Sequence, residues 1–200
     1  MSLFNCFYIN DTCIAADHFI WKNLSFSAYN PVNKTIVDYY NYFNKDLGDK
    51  DVFYLSANSA IKPDKSKIAH AMISLNQVII SSIDGSDKFS VSIGVPVSKD
   101  EIDHTSRSDR LEFFLMLSVT DNQIWLLYEG IARKDLETSS NGNKSKVIVI
   151  DWNGNPLYQL RLDRSLSTIF LNSSKDILYG IDNEENIYKY SVKSFTQSEL

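Results

Sequence analysis

The chain has 200 residues, 44% of them hydrophobic, and its 20 Lys and Arg against 25 Asp and Glu give a net charge of −5. This length suits one domain with a sizeable core, and the mild acidity without a basic block argues against a nucleic-acid partner. No run approaches the roughly 18 apolar residues of a membrane span, and the N-terminus lacks the charged and apolar regions of a signal peptide.

Short runs rich in Val, Ile, Phe and Tyr follow one another along the chain, with turn residues between them. None keeps the apolar spacing of a long amphipathic helix, so the pattern predicts a nearly all-β fold. The predicted strands, in chain order and in four groups, are 4–9, 12–17, 24–29 and 35–42; 51–56, 67–74, 77–83 and 88–93; 111–120, 123–129, 146–152 and 157–162; and 167–171, 176–181 and 186–192.

One passage occurs twice without a gap, since residues 78–93 align with residues 147–162. Gly85 matches Gly154, and each glycine follows an Asp or Asn between two strand-like runs. Such pairs supply the positive φ of a two-residue hairpin turn, so each copy predicts a tight hairpin. Reuse of one hairpin favours a repeat architecture over a β-sandwich.

Four-stranded groups in series predict a β-propeller with antiparallel blades. We expect a single domain over residues 1–200, with blades at about 1–45, 50–97, 110–163 and 165–193. The last blade lacks a strand, and two outcomes stay open: the N-terminal segment donates it and closes the ring, or the ring is incomplete. An incomplete ring would have an open blade edge, through which the chain could self-associate.

Two polar insertions interrupt the strand pattern, at residues 98–110 and 132–145. The second contains Ser-Ser-Asn-Gly-Asn-Lys, a composition typical of a mobile loop. Both are predicted to be surface loops.

Several motifs together carry a family resemblance. Residues 118–130 end in Trp-Leu-Leu-Tyr-Glu-Gly, residues 147–156 include Asp-Trp-Asn-Gly-Asn-Pro, and residues 160–163 read Leu-Arg-Leu-Asp. These passages resemble the TolB-like six-bladed propeller proteins of gut Bacteroidetes, in which such motifs form blade turns and strand ends. The resemblance covers residues 50–192, and the chain is short for a six-bladed member. It implies an exported, periplasmic or cell-surface bacterial protein of a family that mostly lacks an assigned activity.

The ionisable residues give no catalytic or metal-binding pattern. His18, His70 and His104 lack a zinc spacing, and no Gly-x-Ser-x-Gly elbow occurs. We interpret His70 as a hydrogen-bonded structural residue and His104 as a solvated loop residue. Residues 182–186 have the residue types of a calcium site without its ligand spacing, so a hairpin tip is favoured. No catalytic residue, metal or cofactor is therefore assigned.

An aromatic cluster near the N-terminus suggests either an exposed surface for sugars or proteins, or core packing, which we favour. Strand alternation would place its first two tyrosines on opposite faces. The cluster comprises Tyr39, Tyr40, Tyr42 and Phe43, with Phe19 and Trp21 near in sequence.

Two cysteines, Cys6 and Cys13, leave two interpretations open. They could close a small disulfide loop in an exported protein, or they are two buried thiols, which we favour.

We therefore expect a non-catalytic binding or scaffolding module that uses loops at one end of the ring to contact a protein or glycan. The alternative is a hydrolase of glycans or peptides with carboxylates gathered at the central channel. An enzyme should show several ionisable groups with perturbed pKa in one pocket.

Overall fold

A computed structural model of the chain describes residues 2–20, 23–41, 56–138, 144–172 and 174–193. Antiparallel strands form four sheets in chain order. Sheet 1 contains β1 (Ser2–Asn10), β2 (Cys13–Ile20), β3 (Asn23–Asn30) and β4 (Thr35–Asn41). Sheet 2 contains β5 (Ala57–Ile61), β6 (Lys67–Met72), β7 (Gln77–Ser82) and β8 (Lys88–Ser92). Sheet 3 contains β9 (Leu111–Val119), β10 (Gln123–Ala132), β11 (Lys146–Asp151) and β12 (Pro156–Arg161). Sheet 4 contains β13 (Thr168–Leu171), β14 (Ile177–Ile181) and β15 (Ile187–Ser191).

The sheets follow one another around a common centre. The first strand of each sheet contacts the first strand of the next, so β1 meets β5, β5 meets β9, and β9 meets β13. This arrangement confirms a nearly all-β, propeller-like fold, and the ring formed by the described residues is not closed. Donation of β1 to sheet 4 is wrong, because β1 pairs with β2 in sheet 1.

Each pair of consecutive sheets encloses an apolar cluster, as expected for sheets that bury both faces. Phe26 and Ile68 lie in the cluster between sheets 1 and 2, and Phe114 and Ile150 in the cluster between sheets 2 and 3. Trp125 lies in the third, between sheets 3 and 4. The core is therefore divided into layers rather than gathered at one point.

The repeated hairpin forms the two outermost strands of sheets 2 and 3. Its turn is longer than predicted, because residues 83–87 connect β7 to β8 and residues 152–155 connect β11 to β12. Only the glycine has positive φ, +71° at Gly85 and +84° at Gly154, whereas a two-residue type I′ turn needs two such residues.

The two glycines also allow each hairpin to lie against the preceding sheet. A Cβ atom at Gly85 would be 2.6 Å from Cδ1 of Tyr40 on β4, and one at Gly154 would overlap Cγ2 of Val91 on β8. Real Cβ atoms do not approach carbon this closely, so glycine is required for the contact as well as for the turn. Both copies of the repeated hairpin thus use their glycine to pack against the sheet that comes before them in the chain.

Three local predictions need correction. The first strand of sheet 2 is Ala57–Ile61 rather than 51–56, and residues 51–55 lie outside the described part of the chain. Both insertions contain a short helix, α1 (Lys99–His104) and α2 (Arg133–Thr138). Residues 139–143 of the second insertion lie outside the described residues. Within the described residues, neither helix has the length or apolar character needed to cross a bilayer.

Candidate functional site

The interface between sheets 1 and 2 contains a continuous chain of hydrogen-bonded side chains. Ser59 Oγ lies 2.7 Å from Oδ2 of Asp17 and 2.7 Å from Nδ1 of His70. On the other side of the imidazole, His70 Nε2 lies 2.6 Å from the hydroxyl oxygen of Tyr40. That oxygen lies 2.8 Å from Oγ of Ser81. Asn5 joins the chain by donating to Asp17 Oδ2 at 2.9 Å. We call these six residues the buried network.

The donors and acceptors of the buried network fix where its protons lie. A carboxylate only accepts, so Ser59 donates its single O–H to Asp17. The Ser59 oxygen then accepts the Nδ1–H of His70, and Nε2 accepts the O–H of Tyr40. The Tyr40 oxygen in turn accepts from Ser81. His70 is therefore a neutral imidazole with its proton on Nδ1.

Burial keeps the buried network in this state. Asp17 is 2% exposed and His70 is 0% exposed. Burial lowers the pKa of His70 from 6.5 to about 4, against the opposing effect of the Asp17 carboxylate. Burial also raises the pKa of Tyr40. At neutral pH, His70 thus stays uncharged, and the prediction that it is hydrogen-bonded is confirmed.

The buried network has the residue types of a Ser-His-Asp hydrolase but not the order. In a catalytic triad the imidazole lies between the serine and the carboxylate and takes the serine proton. Here Ser59 lies between Asp17 and His70, and its proton is directed at the carboxylate. His70 Nδ1 also lies 3.5 Å from Oδ1 of Asp17. The arrangement links two sheets, and the Ser59 proton is not directed at an imidazole nitrogen as it is in a triad.

The aromatic cluster packs into the same interface. Tyr39 and Tyr40 lie with ring centroids 5.8 and 5.4 Å from that of Phe26, which confirms core packing for these two residues. Their predicted placement on opposite faces is wrong, because a register shift inserts Tyr39 between the Tyr40 and Asp38 pairings of β4. The other cluster members, Trp21, Tyr42, Phe43 and the side chain of Phe19, lie outside the described residues.

The two insertions come together beside sheet 3. The Lys134 N–H donates to the Ser108 carbonyl at 3.0 Å, and the Arg133 N–H donates to the Arg110 carbonyl at 2.9 Å. The first insertion ends where β9 begins, and α2 follows directly after β10, so the strand pairing of β9 and β10 brings the two segments together. Two segments that are separate in sequence therefore share one surface.

An open cleft of about 490 Å³ lies between the insertions, lined by Arg107, Ser108, Arg133 and Lys134. We call it the insertion cleft. Lys134 Nζ lies 2.6 Å from Oδ1 of Asp109, and this hydrogen bond is the main reason that the pKa of Asp109 is lowered and that of Lys134 raised.

A second ion pair joins the insertion cleft to the innermost strand of sheet 3. Nη1 of Arg133 lies 3.4 Å from Oε1 of Glu112 on β9. Arg107, in contrast, is exposed and has no hydrogen bond or ion pair with another described residue. The cleft can present cationic donors to a ligand, with backbone hydrogen bonds fixing its walls.

The remaining candidate residues lie apart from both sites. His104 is exposed on α1, where its Nδ1 lies 2.6 Å from the carbonyl oxygen of Asp100, and the side chain of His18 lies outside the described residues. Asp182 caps the turn between β14 and β15 by accepting from two backbone N–H groups at 2.9 Å. Among the described residues, no group of three or more His, Cys, Asp or Glu is placed to hold a metal ion.

Both cysteines are free. Cys6 is opposite Ala16 in the β1–β2 pairing and Cys13 is opposite Asn10, so the two are not cross-strand neighbours. Cys6 is exposed, and the expectation of two buried thiols is wrong for it.

Sequence reasoning missed the helix that opens the first insertion, although its signal was present. Ser98 Oγ accepts the Glu101 N–H at 3.2 Å, and the Glu101 carboxylate accepts the Ser98 N–H at 2.7 Å. This reciprocal pair is a capping box, which a Ser followed three positions later by Glu indicates. The buried network had no comparable signal, because its members are scattered over two sheets.

Comparisons with known proteins add information on the fold alone. No family model matches the chain, and no curated protein matches it. A crystal structure of a member of the DUF4221 family from Bacteroides vulgatus is similar, with a TM-score of 0.61 at 10% identity, over 92% of this chain and 63% of that one. A chain of a structure described as the mitotic checkpoint complex is similar with a TM-score of 0.55 at 10% identity, over 90% of this chain and 44% of that one. The chain therefore spans less than two thirds of the length of either structural relative.

Proposed function

We propose that this chain is a non-catalytic binding module whose ligand contacts lie in the insertion cleft. One observation carries the proposal: the described parts of the two insertions, residues 98–110 and 132–138, are hydrogen-bonded to each other and enclose a cleft beside the innermost strand of sheet 3. Loops held by a rigid scaffold are the usual place of binding residues. The sheets would act as the scaffold, and the insertions would supply the contacts.

The hydrolase alternative has less support. Four strands lie nearest the centre, β1, β5, β9 and β13, and Glu112 is the one carboxylate in their sequences. Glycoside hydrolysis needs a pair. Elsewhere, burial raises the pKa of Glu129, but that carboxylate is 8% exposed and accepts a hydrogen bond from Ser145. These observations favour a binding role over catalysis.

We also propose that the chain is related to the TolB-like propellers and shares their export to the periplasm or cell surface. The support is the hairpin and strand-end motifs of residues 118–163, together with the propeller-like fold. A protein or glycan partner fits such a location, and the open ring leaves self-association as a further expectation.

Binding by the intact chain to a defined panel tests the proposal. The panel would contain immobilised peptides of acidic, neutral and basic composition, and neutral and uronic-acid oligosaccharides. Ser108→Trp would fill the insertion cleft, while Ser90→Trp, on the exposed face of β8, is the matched control. We expect at least one panel member to bind and its binding to be lost in Ser108→Trp but kept in Ser90→Trp. No binding, or equal binding by both variants, would overturn the proposal.

A further inference from the structure

We propose that the insertion cleft recognises the carboxylates of an acidic peptide segment, an assignment that rests on the proposed binding function. Of the four described residues that line it, three are cations, Arg107, Arg133 and Lys134. The chain as a whole has a net charge of −5, so the lining is opposite in sign to the rest of the protein. A cationic cleft on an acidic protein selects anionic ligands, which the rest of its surface repels.

The ion pairs of the cleft hold its cations in place. The Asp109 carboxylate accepts hydrogen bonds from Lys134 Nζ and Ser106 Oγ, both at 2.6 Å. Oε1 of Glu112 lies 3.4 Å from Nη1 of Arg133. The two acidic residues thus orient Lys134 and Arg133 along the wall of the cleft.

Arg107 is the residue best placed to meet a ligand. It lines the cleft, is exposed, and makes no ion pair with any residue in the part of the chain that the structure describes. Arg binds carboxylates through two parallel N–H···O bonds, which makes it more selective for planar anions than Lys. A carboxylate between Arg107 and Arg133 would receive donors from both walls.

The lining favours a peptide over a sugar or a nucleic acid. Within the part of the chain that the structure describes, no aromatic residue lines the cleft, whereas sugar rings and unstacked bases bind against aromatic faces. A protein that binds a nucleic-acid backbone also usually makes more phosphate contacts than three cations can supply. Ser108, with a small hydroxyl side chain, leaves room for the backbone of an extended peptide between the two walls.

Fluorescence anisotropy with the intact chain tests this assignment. The probe is a labelled peptide of alternating Glu and Ser, and its uncharged counterpart replaces every Glu with Gln. We expect the Glu peptide to bind, the Gln peptide to bind at least about tenfold more weakly, and binding to weaken as salt is raised. Arg107→Glu should weaken binding of the Glu peptide at least about tenfold, with partial recovery in Arg107→Lys. Arg161→Glu, the same charge change on the exposed edge strand β12, should have little effect.

Several outcomes would overturn the assignment. Equal binding of the Glu and Gln peptides would show that charge is not recognised, and an equal loss in Arg107→Glu and Arg161→Glu would show that only net charge matters. Tighter binding of inorganic phosphate or a uronic-acid oligosaccharide would exclude the peptide as the preferred anion. If a neutral or basic peptide binds and Ser108→Trp abolishes that binding, the proposed function stands and only the ligand class is wrong.

Discussion

The buried network and the insertion cleft both gather ionisable side chains, but they differ in access to solvent. His70 is 0% exposed and Asp17 2%, whereas the side chains of Lys134 and Asp109 are 57% and 51% exposed. The first set has the residue types of a hydrolase and lies between two sheets, while the second has simpler chemistry and lies open between two insertions. Residue types alone would favour the buried network, whereas the insertion cleft is the one of the two that a ligand can reach from solvent.

The largest expected difference between the two regions comes from the same change made in each. Asp17→Ala would remove the acceptor of Asn5 and Ser59 inside the sheet interface. Leaving these two half-buried donors unpaired should lower the free energy of unfolding by about 3 kcal/mol. Asp109→Ala removes an exposed ion pair and should change it by less than about 1 kcal/mol. Urea denaturation of both variants measures the difference, and equal losses would contradict a structural role for the buried network.

A second difference is expected in the pH dependence of stability. The pKa of His70 is about 4 in the folded chain and 6.5 when exposed, so the unfolded state binds more protons between these values. The contribution of His70 to the free energy of unfolding is fully present above pH 6.5. It is lost as the pH falls toward 4, by roughly 3 kcal/mol in total.

Unfolding measured across this pH range should therefore show a slope that His70→Gln flattens. His104→Gln, a change at an exposed histidine on α1, is the matched control and should leave the slope unchanged. A slope that survives in His70→Gln would contradict the assignment of a buried, neutral imidazole.

A smaller difference separates two glycines that both have positive φ. Gly85 lies against Tyr40, whereas a Cβ atom at Gly94 would meet nothing within 4 Å. Gly94→Ala should lose about 1–2 kcal/mol from backbone strain alone. Gly85→Ala should lose about 1 kcal/mol more, because its Cβ must displace the ring of Tyr40, whose hydroxyl donates to His70.

Thermal or urea unfolding of the two glycine variants gives this comparison directly. An equal loss in both would mean that the repeated hairpin supplies a turn but does not position Tyr40. A larger loss at Gly85 would connect the repeat in sequence to the packing of one sheet on the next.

The strands were readable from sequence because each depends on a local pattern. Residues 78–93 and 147–162 were predicted as paired strands and form β7–β8 and β11–β12. The register was not readable at β4, where one extra residue, Tyr39, packs against the same cluster as Tyr40 although alternation predicts it on the opposite face. The local residue pattern determines where a strand forms, whereas the pairing register determines the face of the sheet on which each side chain lies.

Neither site could be assembled from sequence. The buried network joins residues 5, 17, 40, 59, 70 and 81, whose meeting depends on the packing of two sheets. The insertions were recognised as surface segments, but their contact depends on backbone bonds such as that from Lys134 to Ser108, which any residue type could make. Long-range contacts made by the backbone leave no trace in residue identity.

Hydrogen–deuterium exchange of the intact chain, with and without the acidic peptide, tests most directly whether ligand contacts lie in the insertion cleft. The amides of Arg133 and Lys134 already donate across the cleft, so a bound peptide should slow their exchange and that of residues 106–110. Exchange in β6, which contains His70, should not change. Protection in β6 and β7 with none in the insertions would contradict the account.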